Sequence, residues 1–364
     1  MNPQNCALLV ISYGGPEQRE DVIPFIENIL VGKNGKNGKN VPRERIEQAA
    51  QKYYLFDGIS PVNEETRRLI AALLQKSYES GKYKSSSSFA EQSSLGEQIN
   101  MLPIYWGNLY WHPMLEETIT AMVAEGIQNV IVFCTVPFAS PQMFCKYTES
   151  LKNAVRKTGR DDLDMEVTRL FFNHPLFVEA VADRIVETLA HLIDWENQPP
   201  SNERDQILSK LPDRETIGIL FTAHSVPFVG DKDRVYRNQL EETAGLVIRT
   251  LGPGFSWELA YQSRGGGAKD SWIGPDIMDF ATNDKKTVIV CPIGFMLENI
   301  ELLYDLDHEF ATRCDSLGVR YLRTETVGYT SKIVTMIREL IAERISPLSP
   351  RRFVGTLGIF SENH

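Results

Sequence analysis

Short β-branched runs alternate with longer amphipathic stretches almost from end to end, which predicts an α/β protein built on parallel sheets flanked by helices. About eight strands can be read, too many for one small open sheet and enough for two. A polar, turn-forming stretch, KTGRDDLD around Thr158 to Asp164, marks where the chain would pass from one sheet to the other.

In chain order the strands are expected at Ala7–Ser12, Pro103–Trp106, Val130–Val136, Glu166–Phe171, Ile217–Thr222, Leu259–Ser263, Thr287–Cys291 and Val319–Thr324. Each is a brief apolar run bounded by turn-forming or polar residues. Helical stretches lie between most of them, including 63–79, 114–125, 175–194, 233–250, 298–313 and 330–345. The expected domains are 1–160 with 328–364 returning to it, and 161–327. Two segments read as surface insertions: the basic GKNGKNGKN run, Gly32 to Asn40, and the serine-rich stretch around Ser85 to Ser94. The tail SPLSPRRFVGTLGIFSENH is proline-punctuated and reads as lying along the surface or tethering to a neighbour.

A net charge of −10 and a pI near 5.3 argue against a nucleic-acid partner, which demands a basic surface. The start, MNPQNCALLVISYGG, has no basic leader and too short an apolar run for export or membrane spanning, so a cytoplasmic protein is expected. The cysteines Cys6, Cys134, Cys145, Cys291 and Cys314 are scattered without a CxxC pair. They read as reduced core residues, which excludes a zinc ribbon and a cysteine-held iron–sulfur cluster.

Ligands of open parallel sheets bind beyond the carboxyl ends of strands. Four segments sit there: SYGGP (Ser12–Pro16), TAHSVP with His224, YQSRGGGAKDSWIGP with Trp272, and PIGF leading into an acidic helix. In that helix Glu301, Asp305 and Glu309 recur every four residues. Like charges at this spacing cost an isolated helix roughly 0.2–0.5 kcal/mol per pair, so the ladder is either a solvated face or a row of hard oxygen donors for a divalent metal. The Gly265 to Gly267 triplet lacks GxGxxG spacing, and no GxxxxGK[ST] loop exists, so dinucleotide and P-loop chemistry are excluded. His224 and Glu301 both follow strands of the second sheet and would face one crevice. A histidine opposite a carboxylate can ligate a metal or accept protons while the carboxylate stabilises the imidazolium.

These motifs together, with LLVISYGGP, GISP (Gly58–Pro61), YWGNLYWHPMLEETI (Tyr105–Ile119) and PIGFMLENIELLYD, resemble the ferrochelatase family, which inserts ferrous iron into a porphyrin in heme synthesis. The resemblance implies two Rossmann-like, chelatase-type domains with the active-site cleft between them. It implies that His224 is the essential histidine, as proton acceptor, metal ligand or both, and that Glu301 is its partner. Asp305 and Glu309 would extend from Glu301 toward solvent as a relay for metal or protons, on a helix with a π-type turn. Porphyrin contacts would come from Tyr13, Tyr53, Ser60 and Tyr147, with Trp272 and Phe295 as walls and Arg45 and Lys52 for propionates.

Tyr13 resembles the coproporphyrin III type rather than the protoporphyrin IX type. Leu30 and Phe138 depart from that pattern, standing where some members place a basic and a polar residue. The implied partners are porphyrin and Fe2+ as substrates, with no tightly bound cofactor and no iron–sulfur cluster. An apolar lip around the cleft would suit transient contact with a membrane or another heme-pathway enzyme. The rivals are a cobalt or nickel chelatase of a related tetrapyrrole pathway, which would share the His and carboxylate donors, and a non-catalytic tetrapyrrole- or metal-binding protein.

Overall fold

The computed structural model describes residues 5–34, 42–75, 98–99, 101–140, 144–160, 163–193, 204–211, 213–228, 230–265, 271–280 and 286–345. The serine-rich stretch, the tail, residues 35–40 of the basic run and residues 266–270 of the glycine loop lie outside them. The chain divides into two compact units, one of residues 1–135, 146–169 and 334–351, the other of 136–145, 170–333 and 352–364.

The first unit holds a parallel sheet in the order β2-β1-β3-β4, from β1 (Cys6–Ser12), β2 (Ile104–Asn108), β3 (Asn129–Cys134) and β4 (Asp164–Val167). All seven residues of β1 are buried, as a central parallel strand covered on both faces must be. Its helices are α1 (Val22–Asn34), α2 (Arg43–Tyr54), α3 (Val62–Leu74), α4 (Leu115–Ala124) and α5 (Phe144–Thr158). Helix α1 absorbs Gly32–Asn34, so the basic run begins inside a helix. Helix α3 stops at Leu74, short of the expected 79.

The second unit repeats the plan in the order β6-β5-β7-β8, from β5 (Ile217–His224), β6 (Ser256–Gln262), β7 (Thr287–Cys291) and β8 (Arg320–Arg323). Around it lie α6 (Pro175–Ala190), α7 (Arg204–Lys210), α8 (Asp231–Leu251), a π-helix (Leu302–Phe310) and α9 (Ala311–Ser316). The last helix, α10 (Ser331–Ile345), starts in the second unit and continues in the first. No described helix is long and apolar enough to cross a membrane.

The strand expected over Glu166–Phe171 is β4, and it ends at Val167. Thr168 makes the last ladder-like bond, its N–H donating to the Val132 carbonyl at 2.9 Å. Beyond it Phe171 and Phe172 are buried in an aromatic group with Phe138 and Phe177 of the second unit. The apolar run therefore reports core burial rather than continued pairing. Phe138, 2 % exposed, is a core residue there.

Four cysteines are buried, but Cys145 is exposed, contrary to the all-core reading. Burial pushes the thiols of Cys134 and Cys291 up to about 12 and that of Cys314 to about 11. Thiolate is the reactive form. In the native protein at neutral pH one thiol, Cys145, should react rapidly with a disulfide reagent, and all five after denaturation; a stoichiometric thiol titration checks this.

Candidate active site

The site in the second unit starts from the end of β5. His224 is its last residue, and its Nδ1 is hydrogen-bonded to the Ser225 carbonyl oxygen. A carbonyl only accepts, so Nδ1 carries the proton and Nε2 keeps its lone pair in the neutral ring. Ser225 is locked in turn, its N–H donating to the Gln262 carbonyl at 2.7 Å and its hydroxyl to the Ile273 carbonyl at 2.7 Å.

Opposite stands the segment after β7. Gly294 donates its N–H to the Thr222 carbonyl at 3.0 Å, and a Cβ added there would lie 2.6 Å from Ala223 Cα. Only glycine lets this loop pass so close to β5. Asn299 Oδ1 then accepts from the N–H groups of Glu301 (2.9 Å) and Leu302 (3.3 Å), satisfying donors where the helix starts. The result sets Glu301 Oε2 3.7 Å from His224 Nε2, with both side chains partly exposed.

The acidic helix is a π-helix over Leu302–Phe310. Its apolar face, Leu302, Leu306 and Phe310, packs on Leu220, Ala260, Val288 and Val290 of the sheet. The carboxylates do not run outward as one row. Asp305 is 4 % exposed and accepts a hydrogen bond from the Ser263 hydroxyl, whereas Glu309 is exposed. Burial of Asp305 corrects the expectation that both outer acids extend toward solvent. Asp305 lies inward beside the buried Leu306, where the Ser263 hydroxyl holds it, whereas Glu309 lies in the exposed stretch with Asp307 and His308. Among the described residues no group of three or more His, Cys, Asp and Glu is placed to hold a metal ion. The structure joins His224 to Glu301, and it sets Asp305 and Glu309 apart from them as separate stations.

Sequence reasoning missed the group that holds this helix. Arg323 of β8, mostly buried, donates Nη1 to both oxygens of Glu298 at 3.1 Å, and Nε and Nη2 to Asp307 at 2.7 and 2.8 Å. Burial alone would lower its pKa, but the hydrogen bonds to Asp307 and the charge of Glu298 outweigh that and hold it above the usual range. Glu298 also accepts from the Thr326 N–H at 2.7 Å. One guanidinium thus ties residues on either side of Glu301 and Asp305. Ser263 was missed as well, although it stands in the quoted YQSR motif. Its φ of +61°, uncommon for a residue with a Cβ, is the local signal.

Trp272 pairs with Pro227 through an isolated bridge, and its buried Nε1–H has no hydrogen-bond partner among the described residues. Phe295 packs against the apolar cluster beneath the π-helix.

In the first unit Tyr13 and Tyr53 fall in one aromatic cluster. Phe25 meets Tyr13 at 6.3 Å and Tyr53 at 5.7 Å between ring centroids, and Tyr110 meets Tyr13 at 4.8 Å. Leu30 packs against the same cluster. Ser60 is buried against Gly15, where an added Cβ would lie 2.7 Å from Ser60 Cβ. Arg45 and Lys52 lie seven residues apart on α2, so on one side of it; Arg45 is exposed and Lys52 half-buried. Tyr147 is placed differently from a pocket wall. It is 1 % exposed and hydrogen-bonded to Thr135, and burial raises its pKa far above the ordinary phenol value.

Breaking the Arg323 tie with Arg323→Met should destabilise the protein by about 1–2 kcal/mol, since it leaves the partly buried Glu298 carboxylate without its charged partner while the exposed Asp307 stays solvated; urea unfolding checks this. Gly294→Ala should cost about 1–3 kcal/mol through overpacking, with loss of activity exceeding loss of fold, measured by melting and turnover on one preparation.

A sequence model described as Ferrochelatase matches residues 5–345. A protein named ferrochelatase from Rhodopirellula baltica is 34% identical over 361 residues, covering 98% of this chain and 91% of that protein. One named coproporphyrin III ferrochelatase from Nocardia farcinica is 33% identical over 358 residues, covering 95% and 90%. Among solved structures, SirB from Bacillus subtilis with Fe3+ aligns at a TM-score of 0.50 with 10% identity, covering 93% of this chain and 94% of that one. That last likeness concerns the fold alone.

Proposed function

This chain belongs to the ferrochelatase family, and on that premise we propose which residues carry its reaction and which porphyrin it takes. It is a lyase that inserts iron into a porphyrin in heme biosynthesis. The observation that carries the residue assignment is the 3.7 Å approach of His224 Nε2 to Glu301.

Insertion of a dication requires two pyrrole protons to leave and the ring nitrogens to turn toward the metal. His224 takes those protons one at a time at Nε2, the nitrogen left free by the Nδ1 bond to Ser225, and releases the first outward before it accepts the second. Glu301 stabilises the imidazolium so formed, a charge placed beside an opposite charge. Because Nε2 serves proton and metal through the same lone pair, His224 does the two jobs in turn, never together. Asp305 and Glu309 conduct hydrated Fe2+ inward or protons outward. Glu309 is the exposed entry and Asp305 the buried station oriented by Ser263.

The porphyrin is coproporphyrin III. Tyr13 supports this, as do relatives that bear that name. In this reading Tyr13, Tyr53 and Ser60 of the first unit contact the macrocycle, and Arg45 and Lys52 meet propionates. Trp272 and Phe295 are walls, and Tyr147 serves from behind, as a buried support. Ferrous iron is substrate, with no resident cofactor and no iron–sulfur cluster. Support comes from Cys134 and Cys291, which lie in different sheets as buried thiols. The buried thiols of Cys134, Cys291 and Cys314 also favour the cytoplasm as compartment.

Anaerobic incubation with Fe2+ and either coproporphyrin III or protoporphyrin IX, followed at the Soret band, should give a higher kcat/KM for coproporphyrin III. A preference for protoporphyrin IX would reverse the substrate assignment. His224→Ala should lower kcat by about 100-fold or more while porphyrin binding persists. Asp305→Ala should mainly raise the KM for Fe2+. Equal loss of porphyrin binding in both variants contradicts this division of roles.

A further inference from the structure

Beneath the His224–Glu301 pair the sheet carries two polar side chains that the mechanism above leaves unused. Gln262 is 1 % exposed and Thr222 fully buried. Both amide atoms of Gln262 and Oγ1 of Thr222 lack a hydrogen-bond partner among the described residues. Leaving such a group buried without a partner carries the full cost of its lost hydration. Valine at 222 or methionine at 262 would fill similar volume without that cost, so packing alone does not account for them.

Their placement follows from the sheet. Leu220 of β5 and Ala260 of β6 share a core cluster with Leu302 and Leu306 of the π-helix. Side chains two residues apart on a strand share a face. Thr222 and then His224 therefore continue the π-helix face of β5, and Gln262, in register with His224, continues it on β6. Next to Gln262, Ser263 already bonds Asp305. The unpaired donors and acceptors thus lie at the carboxyl end of the sheet, on the side where Glu301 and Asp305 stand.

The pair above them is separated by 3.7 Å, too long for a direct hydrogen bond, so the pair does not by itself fix the Glu301 carboxylate. We propose that Gln262 and Thr222 are positioning residues that hold one ordered water, which hydrogen-bonds the Glu301 carboxylate and fixes it opposite His224. A buried water needs two to four polar partners, and the two side chains with Glu301 supply them. No bond is made or broken at Gln262 or Thr222. The inference rests on the assignment of His224 and Glu301 to iron insertion.

The test has a structural and a kinetic arm, both on the full chain. A high-resolution crystal structure of the wild type should show a water within hydrogen-bond distance of Gln262 and Thr222. Its absence overturns the inference whatever the activity. In the Fe2+ and coproporphyrin assay, T222V and Q262M should each lower kcat about five- to tenfold, the loss of one hydrogen bond. KM for either substrate should stay within about twofold, and T222S, which restores the hydroxyl, should recover most of the loss. Unchanged kcat in T222V and Q262M overturns the role, most clearly if the melting temperature rises, because the polar groups would then be only a cost. A T222S as impaired as T222V points to packing and overturns it too. If the wild type inserts no iron, the preceding assignment falls, and the crystallographic arm still decides whether the water is held.

Discussion

The guanidinium of Arg323 is the interaction on which the site depends. A π-helix is a rare conformation, and here it must also hold acidic side chains on the sheet. Arg323 reaches from β8 to Glu298 before the helix and to Asp307 within it, so its start and middle are fixed to one strand. The apolar face of the helix then has one seat, on Leu220, Ala260, Val288 and Val290. Burial of Leu302, Leu306 and Phe310 sets which face of the helix turns to the sheet, and the tie adds its position relative to β8. Rotation decides which carboxylate faces His224.

The second constraint is steric. The loop after β7 crosses the end of β5 at Gly294, close enough that a methyl group would collide with Ala223. That approach carries the chain over His224 before the helix begins. Backbone hydrogen bonds from Gly294 to Thr222 and from Ser225 to Gln262 knit β5, β6 and this loop into one rigid end. The functional side chains therefore project from strand ends and a fixed helix rather than from free loops, the condition for a well-defined reacting geometry. The cost shows nearby, in the positive φ of Ser263 and in the polar atoms of Gln262 and Thr222 that are unpaired among the described residues. Local rules are broken beside the His224–Glu301 pair.

Much of this was legible in the chain. Alternating β-branched and amphipathic runs located all eight strands, since the helix and strand periods differ and parallel strands are continuous apolar runs. The one long overrun, past Val167 to Phe171, arose because burial in the second unit and burial in a strand look alike as apolar residues. His224 and Glu301 were legible because each follows a strand, where ligands of parallel sheets bind. Arg323, Glu298 and Asp307 were not. Nothing in sequence spacing shows that an arginine on one strand will reach one acid before a helix and another within it.

The sequence by itself determined the fold class, the strands and the pairing of a histidine with a carboxylate, because these depend on local periodicity and on recognisable motifs. Only the tertiary structure decided what the Glu301, Asp305 and Glu309 ladder is. Read along the chain it is three equivalent acids four residues apart. Folded, Glu301 faces His224, Asp305 is buried on Ser263 and Glu309 stands in solvent. The difference comes from what each side chain packs against, which is set by contacts between residues far apart in sequence.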